Sequence, residues 1–127
     1  MKNNRKSILI VDDAKFMREF LTAQLSNEYD IITAKNGKEG VSKYEESEPD
    51  VVLLDINMPK LHGVDALQRI LKINNQAKVI MLSVEDSYEV IEDCKKYGAI
   101  DYIIKPFSMD NLYQSLHIAL YDVWNIT

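Results

Sequence analysis

The chain reads as a single α/β domain built on a parallel sheet. Three observations carry this. Short apolar runs alternate strictly with stretches of helical period. The runs are nearly continuous rather than alternating apolar with polar, which is the pattern of strands buried on both faces. Strict strand–helix alternation favours a parallel sheet with right-handed crossovers.

The runs are Ile8 to Val11, Val51 to Leu54, Val79 to Leu82 and Tyr102 to Ile104, with a weaker one at Ile31 to Ala34. Between them lie five helical stretches. Phe16, Met17, Phe20, Leu21 and Leu25 form one apolar stripe after Asp13. Val41 and Tyr44 mark a weaker stripe within Gly37 to Ser47. Val64, Leu67, Ile70 and Leu71 mark a third helix, and Val90, Ile91, Cys94 and Tyr97 a fourth. The last carries Leu112, Leu116, Ala119, Leu120 and Val123. Punctuation agrees: Asn36-Gly37 signals a turn, Pro49 ends the second helix, Gly98 caps the fourth and Pro106 breaks the chain before the fifth.

Size and charge narrow the function. A chain of 127 residues suits one domain and can bury a core without disulfides. Fifteen basic and 20 acidic side chains give a net charge of −5, which disfavours direct nucleic-acid binding. No apolar run approaches the roughly 18 residues of a membrane span, so no membrane insertion is expected. The single cysteine, Cys94, and the lack of a leader-like segment suggest a cytoplasmic setting.

Polar residues follow the apolar runs. Asp12 and Asp13 end the first, Asp55 the third, Ser83 the fourth and Lys105 the fifth. In an open parallel sheet, ligands bind at the carboxyl ends of the strands. Taken singly, each residue has an ordinary explanation: the aspartates and Ser83 as helix caps, Lys105 as a solvated charge. Together they place three carboxylates, a hydroxyl and an ammonium at one sheet edge. Clustered carboxylates repel, so such a site needs a cation, and hard oxygen ligands suit Mg²⁺. An aspartate beside Mg²⁺ can act as a nucleophile toward phosphorus, and phosphoryl transfer needs mostly positioning and charge neutralisation.

Val11-Asp12-Asp13, the segment Asp55 to Pro59 followed by Gly63, Ser83, and Lys105-Pro106-Phe107 stand in order and at characteristic spacing. With them the chain resembles the receiver domain of two-component response regulators, from about Lys6 to Leu120. The resemblance implies one receiver domain over residues 1–127, a doubly wound flavodoxin-like fold and the strand order 2-1-3-4-5. It implies Asp55 as phosphoacceptor and Asp12, Asp13, Asp55 and the Asn57 backbone carbonyl as Mg²⁺ ligands. Ser83 and Lys105 would contact phosphoryl oxygens. Tyr102 would be the aromatic switch, turning inward as Ser83 moves toward the phosphoryl group. The surface of the fourth helix, fifth strand and fifth helix would then change. The Lys105–Pro106 bond is expected to be cis.

The run Asp13 to Arg18, with Asn57 and Glu85, is most similar to the single-domain chemotaxis regulators. Asn57 and Glu85 would border the phosphoryl group, implying a short-lived phospho-state. Val84 departs from the family's usual Ala or Gly. Its stiff side chain either narrows access to Asp55 or turns into the helix packing. The resemblance implies a histidine kinase as phosphodonor and a protein target, with a flagellar motor component as the leading candidate. It implies a monomer or a weak phosphorylation-dependent dimer, and no turnover of a separate substrate. A receiver cut from a multidomain transcriptional regulator and a sporulation-type phosphorelay intermediate are the alternatives.

Other classes fit less well. Phosphatases of the haloacid-dehalogenase type use an Asp-x-Asp pattern, whereas Asp12 and Asp13 are adjacent. A flavin-phosphate loop would be repelled by the same two carboxylates. A receiver that signals without phosphate would not need the complete residue set. His62, His117, Cys94 and Trp124 read as surface or packing residues.

Overall fold

The computed structural model describes residues 5–121. Five strands and five helices alternate. They are β1 (Ser7–Val11), α1 (Lys15–Leu25), β2 (Asp30–Ala34), α2 (Gly37–Ser47), β3 (Val51–Leu54), α3 (Gly63–Ile73), β4 (Val79–Ser83), α4 (Tyr88–Tyr97), β5 (Asp101–Ile104) and α5 (Met109–Tyr121). All strand pairings are parallel, in the order β2-β1-β3-β4-β5. The expected doubly wound α/β fold is therefore present.

The period of two in each central strand separates two cores. Leu9, Val11, Val52, Leu54, Val79 and Met81 join Tyr44, Leu67, Ile70 and Cys94 on the face covered by α2, α3 and α4. Ile8, Ile10, Val51, Leu53, Ile80 and Leu82 join Leu21, Leu25, Leu112 and Leu116 on the face covered by α1 and α5. β1, β3 and β4 are buried on both faces, as their continuous apolar runs predict. β5 is not: its residues are partly exposed because it lies at the edge of the sheet.

The stripe on α1 is also narrower than expected. Leu21 and Leu25 are buried and Met17 and Phe20 partly so, but Phe16 is 75% exposed. Successive residues on a helix diverge by about 100°, which carries Phe16 off the Met17–Leu21–Leu25 line. It stacks on Phe20 instead, with ring centroids 6.3 Å apart.

Local punctuation works largely through capping. Asn36 is the N-cap of α2, its side chain accepting the Glu39 N–H at 2.8 Å. Glu48 closes that helix in the left-handed region at φ 45°, just before Pro49. Gly98 caps α4 at φ 115°, a conformation that favours glycine. Cys94 is buried in the core as expected. His117 packs its ring against Tyr121, 4.9 Å between centroids. Val123 and Trp124 lie outside the described residues.

Candidate functional site

The carboxyl ends of β1, β3, β4 and β5 converge on one cluster. Asp12 follows the last residue of β1 and is buried; its Oδ1 accepts the Ala14 N–H at 2.9 Å, so it also orders the turn into α1. Asp13 is exposed. Asp55 directly follows β3 and is buried, its Oδ1 accepting the Ile56 N–H at 2.7 Å. One carboxylate oxygen from each of Asp12, Asp13 and Asp55 lies within 4.8 Å of the others. Three hard anionic oxygens at that separation, one on an exposed residue that leaves room for water, fit Mg²⁺.

Lys105 reaches in from beyond β5. Its Nζ lies 2.6 Å from Asp12 Oδ2 and 3.7 Å from Asp55 Oδ2, and its side chain is only 12% exposed. The ammonium thus sits closest to Asp12 and spans to Asp55. Burial holds the Asp55 carboxyl above its ordinary range. Lys105, the Ser83 hydroxyl and the Ile56 N–H oppose that rise, while the neighbouring Asp12 adds to it.

Ser83 is the last residue of β4 and is fully buried. Its Oγ accepts the Glu85 N–H at 3.2 Å, which closes the turn after the strand. The cap reading is thus met locally, but for the β4–α4 turn; α4 itself is capped by Ser87. Tyr102 lies on β5, half-buried, and its hydroxyl donates to the Glu85 carbonyl at 2.6 Å. Burial pushes that phenol up to about 12. Ser83 and Tyr102 therefore hold the same short turn from two sides. The Lys105–Pro106 peptide is cis.

The remaining residues lie around this cluster. Asn57 is exposed two residues beyond Asp55. Val84 is 63% exposed, so it does not turn into the helix packing. His62 does more than occupy a surface: it is the N-cap of α3, its Nδ1 accepting the Val64 N–H at 3.3 Å. Gly63 has a steric role that spacing alone does not reveal. A Cβ there would lie 2.1 Å from the Asp55 carbonyl oxygen and 2.5 Å from Ile56 Cα.

The doubly wound sheet thus carries an acid cluster and a lysine at its carboxyl edge, where open α/β sheets bind their ligands. Residues 8–117 match the response regulator receiver domain, and the chain belongs to that family. It is 40% identical over 114 residues to the chemotaxis protein CheY of Thermotoga maritima, covering 88% of this chain and 95% of that protein. Among solved structures it is similar to CheY of Borrelia burgdorferi in a complex with CheX, BeF₃ and Mg²⁺. That similarity has TM-score 0.85 and 35% identity, over 88% of this chain and 87% of the other. It is also similar to the response regulator TrrA of Thermotoga maritima in complex with Mg²⁺ and BeF, with TM-score 0.82 and 34% identity, over 91% and 99% of the two chains. The chain is a receiver of the CheY type. Among the described residues no helix is long and apolar enough to cross a membrane.

Proposed function

We propose that this receiver accepts a phosphoryl group on Asp55, in a Mg²⁺-dependent reaction with a histidine kinase, and relays the change to a protein partner in chemotaxis. The observation that carries the reading is the Asp55 carboxylate itself, buried at a strand end within reach of Asp12, Asp13 and Lys105. In the transfer an Asp55 carboxylate oxygen forms a bond to phosphorus. The bond from phosphorus to the donor histidine nitrogen breaks, and its electron pair leaves with the imidazole. Bound Mg²⁺, held by Asp12, Asp13, Asp55 and the Asn57 carbonyl, would neutralise phosphoryl charge. Lys105 supplies a second positive charge at 3.7 Å from the acceptor carboxylate.

The output follows from the turn that Ser83 and Tyr102 share. A phosphoryl group adds strong acceptor oxygens beside the Ser83 hydroxyl. Drawing Ser83 toward them alters its bond to the Glu85 N–H, and Tyr102 is tied to the carbonyl of that same residue. The equilibrium of the α4–β5–α5 surface then shifts by the differential contacts of the two states. The partner is a protein, with a flagellar switch component as the favoured target; similarity to chemotaxis proteins supports this over a phosphorelay role.

Acetyl phosphate tests the chemistry. Intact-protein mass should show a gain of one phosphoryl group with Mg²⁺, none in its absence and none in Asp55→Ala. A Mg²⁺-independent gain, or one that survives Asp55→Ala, contradicts the assignment.

Val84 supplies a second test. Its exposed, stiff side chain stands immediately after Ser83, the residue whose hydroxyl bonds the Asp55 carboxylate. Val84→Ala should speed phosphorylation by acetyl phosphate about tenfold, an effect of about 1.4 kcal/mol on the barrier. An unchanged rate removes the steric role.

A further inference from the structure

We propose that Arg18 is a positioning residue for the divalent cation: it fixes the Asp12–Asp13 backbone so that the Asp13 carboxylate faces the ion. This rests on the Mg²⁺ reading above. Arg18 is the fourth residue of α1 and is half-buried. Helical side chains lean toward the helix N-terminus, so a long side chain there reaches back over the preceding turn. Its Nη1 donates to the Asp12 backbone carbonyl at 2.8 Å.

That carbonyl belongs to the peptide that joins the two acidic residues. The Asp12 side chain is held twice over, by the Ala14 N–H at 2.9 Å and by Lys105 at 2.6 Å. The Asp13 carboxylate has no hydrogen-bond or ion-pair partner among the described residues. Its direction therefore depends on the backbone on which it stands. The start of α1 offers little other support: the N-cap is Ala14, which has no capping side chain, and the first turn carries no acidic residue. Arg18 fills that gap from inside the helix. Groups that orient metal ligands without touching the metal commonly control affinity by tenfold or more.

Arg18 also carries a positive charge, which by itself repels a cation. The two contributions have opposite signs in a variant without the guanidinium. Loss of positioning weakens Mg²⁺ binding, and loss of charge strengthens it. Salt and the conservative variant separate them: 0.5 M KCl weakens a long-range charge effect more than a direct hydrogen bond, and Arg18→Lys keeps the charge while losing the guanidinium.

The experiment is calorimetric titration of the full chain with MgCl₂ alone, at 0.05 and 0.5 M KCl, for the wild type, Arg18→Met and Arg18→Lys. Thermal unfolding in EDTA confirms that each variant is folded. Arg18→Met should weaken Mg²⁺ binding about tenfold at the higher salt, with Arg18→Lys recovering part of it. Equal affinities of wild type and Arg18→Met at high salt, or tighter binding by Arg18→Met at both, overturn the positioning role. Absence of saturable binding by the wild type would overturn the metal-site reading as well, and so is distinguishable from failure of the Arg18 role alone.

Discussion

Replacing Lys105 by methionine should destabilise the metal-free protein by about 3 kcal/mol at neutral pH, because it strands two buried carboxylates without a cation. Methionine keeps much of the apolar stem, so the loss falls mainly on charge. The Lys105 ammonium is the ion-pair partner of both Asp12 and Asp55, and all three side chains are largely shielded from water. A single buried charge left without its partner is far more costly than a surface ion pair is stabilising. Urea denaturation in EDTA at pH 7.5 measures the loss directly; an unchanged midpoint would show that solvent already screens the cluster.

The pH dependence gives this expectation its sign. Burial raises the folded-state carboxyl of Asp55 above its ordinary 3.8. Between the unfolded and folded values the native state holds more protons than the unfolded chain. Stability therefore falls as pH rises through the folded value, and the cost is complete above it. Lys105 is the strongest influence opposing the rise, so its removal pushes that window higher. The deficit of Lys105→Met should shrink as pH falls, since a protonated carboxyl needs no cation. Saturating Mg²⁺ should also recover part of it at pH 7.5, because a ion bound only by the folded state stabilises that state. A deficit independent of both pH and Mg²⁺ would mean that lost packing, not charge, causes it.

The fold was legible where burial is decided locally and less so where it depends on distant partners. β1, β3 and β4 announce themselves because continuous apolar runs have few other uses in a domain of this size. Tyr102 to Ile104 reads the same way, yet β5 is an edge strand, and a strand's place in the sheet is set by long-range pairing. The strand order came with the receiver motifs, not with any periodicity. Phe16 misled for a similar reason: its hydrophobicity says nothing of the angle at which α1 meets the sheet. The convergence of Asp12, Asp55 and Lys105 followed from polar residues placed directly after strands. Their pairing did not: that Lys105 lies nearer Asp12 than Asp55 is a matter of side-chain reach. Arg18 and His62 left weaker signals still, because a helix arginine and a loop histidine usually face water. The clues to Arg18 were its place on the first turn after an Asp-Asp pair and its membership of the run Asp13 to Arg18 that resembles the chemotaxis regulators.

Gly63→Ala should be more damaging to the site than its small volume suggests. The added Cβ would meet backbone, the Asp55 carbonyl oxygen at 2.1 Å and Ile56 Cα at 2.5 Å, so no side-chain rotation can relieve it. The Gly63 N–H also donates to the Ile56 carbonyl at 2.8 Å, which locks the start of α3 against the segment carrying the acceptor. Either α3 retreats or Asp55 moves. Overpacking of this kind costs about 3 kcal/mol. Displacement of a reacting group by about 1 Å costs roughly 100-fold in rate. Gly98→Ala is the matched control. It forces a side chain into φ 115° and against the flexible Leu71 Cδ1 at 2.7 Å, but it lies at the far end of α4. Both variants should lower the urea midpoint, whereas only Gly63→Ala should slow phosphorylation by acetyl phosphate. Equal slowing in the two would mean that the rate follows global stability, and that the contact between Gly63 and Asp55 does not hold the acceptor in place.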